Sequence, residues 1–99
     1  MKSIFAATRT ALVTGASAGI GLELTRALAP KLDTLIVVAR RTERLQKLST
    51  ELQSRYQALK VIIETADLSD PEAVQSLLRR LEIRCLNVDV LINNAGGRV

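Results

Sequence analysis

The chain has 99 residues, 47% of them hydrophobic, and a formal net charge of +4, a size and balance that predict one small globular domain over residues 1–99. With no His and a lone Cys85 it offers neither a zinc cluster nor a disulfide framework, and its aromatic residues, Phe5 and Tyr56, are too few to interleave arginines into a nucleic-acid surface. The N-terminal apolar run, residues 4–7, is too short for a signal-peptide core and no run approaches membrane-spanning length, so the expectation is a cytoplasmic chain that engages neither nucleic acid nor membrane.

Thr10–Thr14 is a short apolar run rich in strand formers. From residue 20 to about residue 29, Ile20, Leu24, Ala27 and Leu28 recur on one helical face, and Pro30 stops that helix. Thr34–Ala39 (TLIVVA) is almost continuously apolar, the pattern of a strand buried on both faces. Thr42 is positioned to cap a second helix, in which Leu45, Leu48 and Leu52 form one stripe. Residues 60–66 (KVIIETA) read as a third strand. Ser69 and Glu72 then have capping-box spacing around Asp70, with Pro71 in the first turn, and Val74, Leu77, Leu78 and Leu81 follow at helical intervals. Cys85 is expected as a small apolar filler near the end of this third helix, and Arg44, Arg79, Arg80 and Arg84 as parts of solvated helix faces. Residues 89–93 (DVLIN) make a fourth strand, which runs into the turn-forming residues of NNAGG.

The order is therefore β-α-β-α-β-α-β with short connections. Strands alternating with helices predict a parallel sheet with right-handed crossovers. The expected fold is a Rossmann-like, doubly wound α/β sheet of strand order 3-2-1-4, truncated after the fourth strand. In that order the first two helices cover one face and the third crosses the other. The loop after the first strand then lies beside the point where the winding reverses.

That loop, within residues 13–21 (VTGASAGIG), carries Gly15, Gly19 and Gly21 between a predicted strand and a predicted helix. In this setting free backbone N–H groups and the helix dipole receive a pyrophosphate. Gly15 supplies a turn closed to other residues, Gly19 lets phosphates approach the backbone, and Gly21 lets helix and strand pack closely. The loop is thus read as a dinucleotide site rather than a merely structural turn.

The spacing is G-x3-G-x-G, and with Thr14 it gives TGASAGIG, which closely resembles the cofactor signature of the short-chain dehydrogenase/reductase family. Asn93, Asn94, Ala95 and Gly96 match that family's turn at the end of the fourth strand, and Asp67-Leu68 its adenine-contacting pair. The resemblance implies that Gly15, Ser17, Ala18, Gly19, Ile20 and Gly21 form the pyrophosphate and ribose cradle. It implies that Asp67 accepts from the adenine amino group beside the Leu68 backbone, and that Asn93 to Gly96 border the ribose and brace the central strands.

A site selective for NAD(H) places an acid at the end of the second strand to hold both ribose hydroxyls. Here that end reads VVARR, with Arg40 and Arg41 in its place, and the nearby Asp33 precedes the strand at the opposite rim. A guanidinium matches a 2′-phosphate in charge and fork geometry, so NADP(H) is expected over NAD(H), with Arg40 the principal contact. Ser17 adds a hydroxyl, whereas Ala18 departs from the Arg or Lys often found there in NADP-preferring relatives.

The family's reaction is hydride transfer between a nicotinamide and a carbonyl or alcohol carbon, with a Tyr acid/base in Y-x-x-x-K and a Ser that orients substrate. Tyr56 and Lys60 have that spacing. Tyr56, however, ends the second helix and Lys60 begins the third strand, at the rim away from the glycine loop, out of reach of the reacting oxygen. No catalytic residue and no metal site is therefore expected in the chain. The principal expectation is the N-terminal part of an NADP(H)-dependent oxidoreductase, inactive until a missing C-terminal half or a partner chain completes it. The alternatives are a non-catalytic nucleotide-binding module and a structural half whose open strand edge pairs with another chain. Full-length members of the family usually form homo-oligomers.

Overall fold

A computed structural model describes residues 9–15 and 19–93. Four strands, β1 (Thr10–Thr14), β2 (Thr34–Ala39), β3 (Lys60–Thr65) and β4 (Val90–Asn93), alternate with three helices, α1 (Gly19–Leu28), α2 (Glu43–Arg55) and α3 (Pro71–Ile83). They form one parallel sheet in the order β3-β2-β1-β4, the expected Rossmann-like arrangement. Ala66 and Asp89 fall just outside their strands but remain tied to the sheet. The Ala66 N–H donates to the Ala39 carbonyl at 3.2 Å and the Asp89 N–H to the Thr10 carbonyl at 2.8 Å.

Strand alternation sends side chains to two layers. On one face Ala11, Val13, Leu35 and Val37 pack with Leu45, Leu48 and Leu52 of α2, and Leu22 of α1 packs against them. On the other, Leu12, Ile36, Val38 and Ile62 pack with Leu77 and Leu81 of α3. Burying one such leucine contributes roughly 2–3 kcal/mol. β2 lies between two strands and under both layers, and Leu35, Ile36, Val37 and Val38 are fully buried.

The first helix does not use the predicted face. Gly21 and Thr25 are buried and Leu22 and Leu28 are half-buried, whereas Leu24 and Ala27 are exposed and the Ile20 side chain lies outside the described set. The helix presents its smallest residues to the sheet, which permits close approach. The Thr25 hydroxyl that this buries donates to the Gly21 carbonyl at 2.7 Å.

Both predicted caps also differ. Thr42 is helical and makes no capping bond. The third helix is capped by Asp70, whose carboxylate accepts from the Glu72 N–H at 3.0 Å, while Ser69 bonds to Asp67 instead. Of the predicted α3 stripe, Leu77 and Leu81 are buried and Leu78 is 58% exposed. Nor are all the α3 arginines merely solvated. Arg80 donates to the buried Glu64 carboxylate at 2.8 Å and Arg84 at 3.4 Å, joining α3 to β3. On the opposite face Arg26 joins α1 to α2 through both oxygens of Glu51, each at 3.0 Å.

Cys85 is no core filler. It is exposed and adopts φ +56° one residue beyond the α3 C-cap. Its N–H donates to the Glu82 carbonyl at 2.9 Å and the Leu86 N–H to the Leu81 carbonyl at 3.0 Å. This is a Schellman closure with Cys where glycine is favoured, and Leu86 returns to the apolar layer that contains Leu81. Left-handed backbone costs a residue with a Cβ about 1–2 kcal/mol, partly offset in a glycine variant by its freer unfolded chain. Cys85→Gly is therefore expected to stabilise the domain by about 0.5–1 kcal/mol, a rise of a few degrees in Tm. An unchanged or lowered Tm in a thermal melt would contradict this.

At the amino rim, acids close the strand ends. Asp33 accepts from the Arg9 N–H at 2.9 Å, and Asp89 from the Thr10 N–H at 2.8 Å. Among the described residues β4 pairs only with β1, and its outer edge leaves Leu91 65% exposed.

Candidate functional site

Parallel register places the carboxyl ends of all four strands at one level. Thr14 is opposite Val38 and Asn93, and Ala39 opposite Thr65. Every loop that leaves these ends therefore emerges on one rim. There Gly15 leaves β1 with φ +67° and donates its N–H to the Val38 carbonyl at 3.2 Å. α1 begins at Gly19, itself left-handed at φ +62°. A Cβ added to Gly19 would meet nothing within 4 Å.

Beside Gly15 lies a cleft of about 600 Å³, within the range of small-molecule sites. Its floor is Val38, Ala39 and Ala66, one wall is Arg40, Arg41 and Arg44, and the other is Asp67, Leu68 and Ser69. The structure thus gathers Gly15, Arg40, Arg41, Asp67 and Leu68 around one cavity. Gly19 and Gly21 stand at the start of α1. Asn93 is one strand further along the rim, where its side-chain oxygen accepts from the Thr14 hydroxyl at 2.9 Å and ties β4 to β1. Ser17, Ala18, Asn94, Ala95 and Gly96 lie outside the described residues, as does the side chain of Ile20.

The wall formed by the β3–α3 loop is internally braced. One oxygen of the Asp67 carboxylate accepts from the Ser69 hydroxyl at 2.6 Å and from the Ser69 N–H at 3.0 Å. The Ser69 hydroxyl foremost, then its N–H, with a smaller contribution from Arg40 across the cleft, holds the Asp67 carboxyl below the usual aspartate range. A depressed folded pKa stabilises the fold above the unfolded value, and that contribution is lost as pH falls through the folded value. Ser69→Ala is expected to return Asp67 toward the ordinary range in an NMR carboxyl titration. An unmoved titration would show that Ser69 is not the cause.

Sequence reasoning missed Ser69 and Arg44 as cleft residues. Ser69 was assigned to the helix cap. Arg44 is the second residue of α2, and the short β2–α2 connection brings it to the same cleft as Arg40 and Arg41. The Tyr56–Lys60 pair is at the other rim, as expected. Tyr56 follows the last residue of α2, and the Lys60 N–H donates to the carbonyl of Asp33 at 2.9 Å. Among the described residues no group of acids, Cys or His is arranged to hold a metal, and no helix is long and apolar enough to cross a membrane.

Comparison with known proteins agrees with this geometry. The short chain dehydrogenase family model matches residues 9–99. An uncharacterized oxidoreductase of Mycobacterium tuberculosis is 38% identical over 85 residues, which is 86% of this chain and 34% of that protein. The NADPH-dependent reductase BacG of Bacillus subtilis is 32% identical over 89 residues, 90% of this chain and 34% of that protein. The crystal structure of L-sorbose reductase from Gluconobacter frateurii, complexed with NADPH and L-sorbose, superposes with a TM-score of 0.80 at 29% identity, over 90% of this chain and 34% of that one. The chain spans about a third of the length of these two curated relatives. With the family model matching nearly its whole length, the chain belongs to the short chain dehydrogenase family.

Proposed function

We propose that this chain forms the NADP(H)-binding portion of an oxidoreductase that transfers hydride between a nicotinamide and a carbonyl or alcohol carbon. The observation that carries the reading is the cleft wall at the end of β2, where three arginines stand and no acid does. An acid there would repel a 2′-phosphate and hold the bare ribose; arginines do the reverse. Gly19 opens α1 beside this rim, and the free N–H groups and dipole of a helix N-terminus favour a pyrophosphate. NADPH in the reductases of Bacillus subtilis and Gluconobacter frateurii supports the same assignment.

In this reading Gly15, Gly19 and Gly21, with Ser17, Ala18 and Ile20, cradle the pyrophosphate. Arg40 and Arg41 hold the 2′-phosphate. The free oxygen of Asp67 accepts from adenine beside Leu68. Asn93 to Gly96 border the ribose and brace β1 against β4. When bound, the dinucleotide supplies or accepts the hydride.

Tyr56 is the single tyrosine of the chain and stands at the wrong rim, so the acid/base group comes from outside these 99 residues. Among the described residues β4 pairs only with β1, and its open edge, with Val90 and Leu91 exposed, supports pairing with a further segment or a partner chain. The position of Tyr56 equally favours a second reading, in which the domain binds the nucleotide without catalysis. Both require binding by the chain itself. At a concentration 100 times its Kd, NADPH is expected to stabilise the fold by about 2.7 kcal/mol, a shift of several degrees in Tm. A melt unmoved by millimolar NADPH would contradict both.

A further inference from the structure

We infer that Ser69 is a positioning residue for recognition of the purine base. By holding one oxygen of Asp67 it leaves the other to accept from a 6-amino group, and so sets the discrimination between adenine and a 6-oxo purine. The inference rests on the NADP(H) reading and adds to it a residue that acts through Asp67. Ser69 stands with Asp67 and Leu68 on the cleft wall across from the arginines.

The backbone of this loop is already fixed. The Asp70 N–H donates to the Asp67 carbonyl at 3.0 Å, Leu68 packs against the apolar layer that contains Leu77 and Leu81, and the Asp70 carboxylate caps α3. What remains is rotation of the exposed Asp67 side chain. One of its oxygens is engaged twice, by the Ser69 hydroxyl at 2.6 Å and by the Ser69 N–H at 3.0 Å. A hydroxyl-to-carboxylate bond of that length is charge-assisted and roughly twice as strong as a neutral one. Among the described residues the second oxygen has no hydrogen-bond partner, and Asp67 makes no ion pair. Arg40 nevertheless acts on this carboxylate from across the cleft. Without the Ser69 hydroxyl, that attraction draws Asp67 toward the guanidinium and into the gap between the two walls. A base entering the gap then meets a carboxylate that is turned away or already paired.

An ionised carboxylate is an acceptor only. It accepts from the 6-amino group of adenine and repels the 6-oxo group of hypoxanthine, which is itself an acceptor. A bond that merely braced the loop would serve both bases alike. A bond that fixes the free oxygen acts on the amino-bearing base alone.

The test is calorimetric titration of the chain and its Ser69→Ala and Ser69→Thr variants with NADPH and with the hypoxanthine analogue of NADPH. Wild type is expected to bind NADPH about tenfold or more tighter than the analogue. In Ser69→Ala the affinity for NADPH is expected to fall about five- to tenfold, with less than about a twofold change for the analogue. Ser69→Thr keeps the hydroxyl and is expected to keep the preference. Ser69 is exposed, so both variants should melt close to wild type. If wild type prefers NADPH and Ser69→Ala keeps that preference, or weakens both nucleotides equally, Ser69 only braces the loop: the inference falls and the NADP(H) reading stands. Equal affinity of wild type for the two nucleotides has the same consequence, and loss of the preference in Ser69→Thr would remove the role of the hydroxyl. If wild type binds neither nucleotide, the inference and the NADP(H) reading fall together.

Discussion

Arg40→Asp is expected to reverse the nucleotide preference of the chain, shifting the ratio of NADPH to NADH affinity by roughly 10²- to 10³-fold. Two effects act in the same direction. The substitution removes a cation from the wall that faces the 2′-phosphate, and it places a carboxylate where both hydroxyls of an unphosphorylated ribose can donate. Arg40 is exposed at the end of β2 and makes no ion pair among the described residues, so the fold should lose little. A second readout comes from the same variant. Arg40 contributes to the low pKa of Asp67, and replacing it with an acid should raise that value. Unchanged relative affinities, measured by titration of both cofactors, would remove Arg40 from the site.

Gly19→Val acts differently. Its expected result is loss of both cofactors together, by about 100-fold or more, because the side chain would stand before the N–H groups that a pyrophosphate uses. The folding cost is separable. Gly19 has φ +62° and a Cβ there meets nothing within 4 Å, so backbone strain of about 1–2 kcal/mol is the main penalty expected. A folded variant with a modestly lowered Tm and no cofactor binding is the expected combination. Retained binding would move the pyrophosphate away from the N-terminus of α1. The contrast with Arg40→Asp matters: one variant changes which dinucleotide binds, and the other abolishes binding of either.

The sheet was legible in the sequence because its strands are nearly pure apolar runs bounded by turn residues. Parallel pairing then forces every β-to-α loop onto one rim. That is why the glycine loop, VVARR and Asp67 could be placed together without coordinates. What misled was local choice among near-equivalent residues. On α1, Leu24 looked like a core residue, but close packing selected Gly21 and Thr25, and a shift of one position turned the face. Ser69 and Asp70 are both good caps, and the chain used Asp70 because Ser69 was engaged with Asp67. Cys85 in a left-handed turn follows from how α3 closes onto its own last turn, which composition does not reveal. Arg44 looked like any solvated helix residue until the N-terminus of α2 was seen to stand over the cleft.

The central claim is that the cleft at the carboxyl ends of β1, β2 and β3 binds a phosphorylated nicotinamide dinucleotide. Isothermal titration of the 99-residue chain with NADPH and then NADH tests it most directly. Saturable binding of NADPH at one site, about tenfold or more tighter than NADH, is the expected result. Equal affinity for the two would contradict the role of the arginine wall, and no saturable binding of either would contradict the site itself.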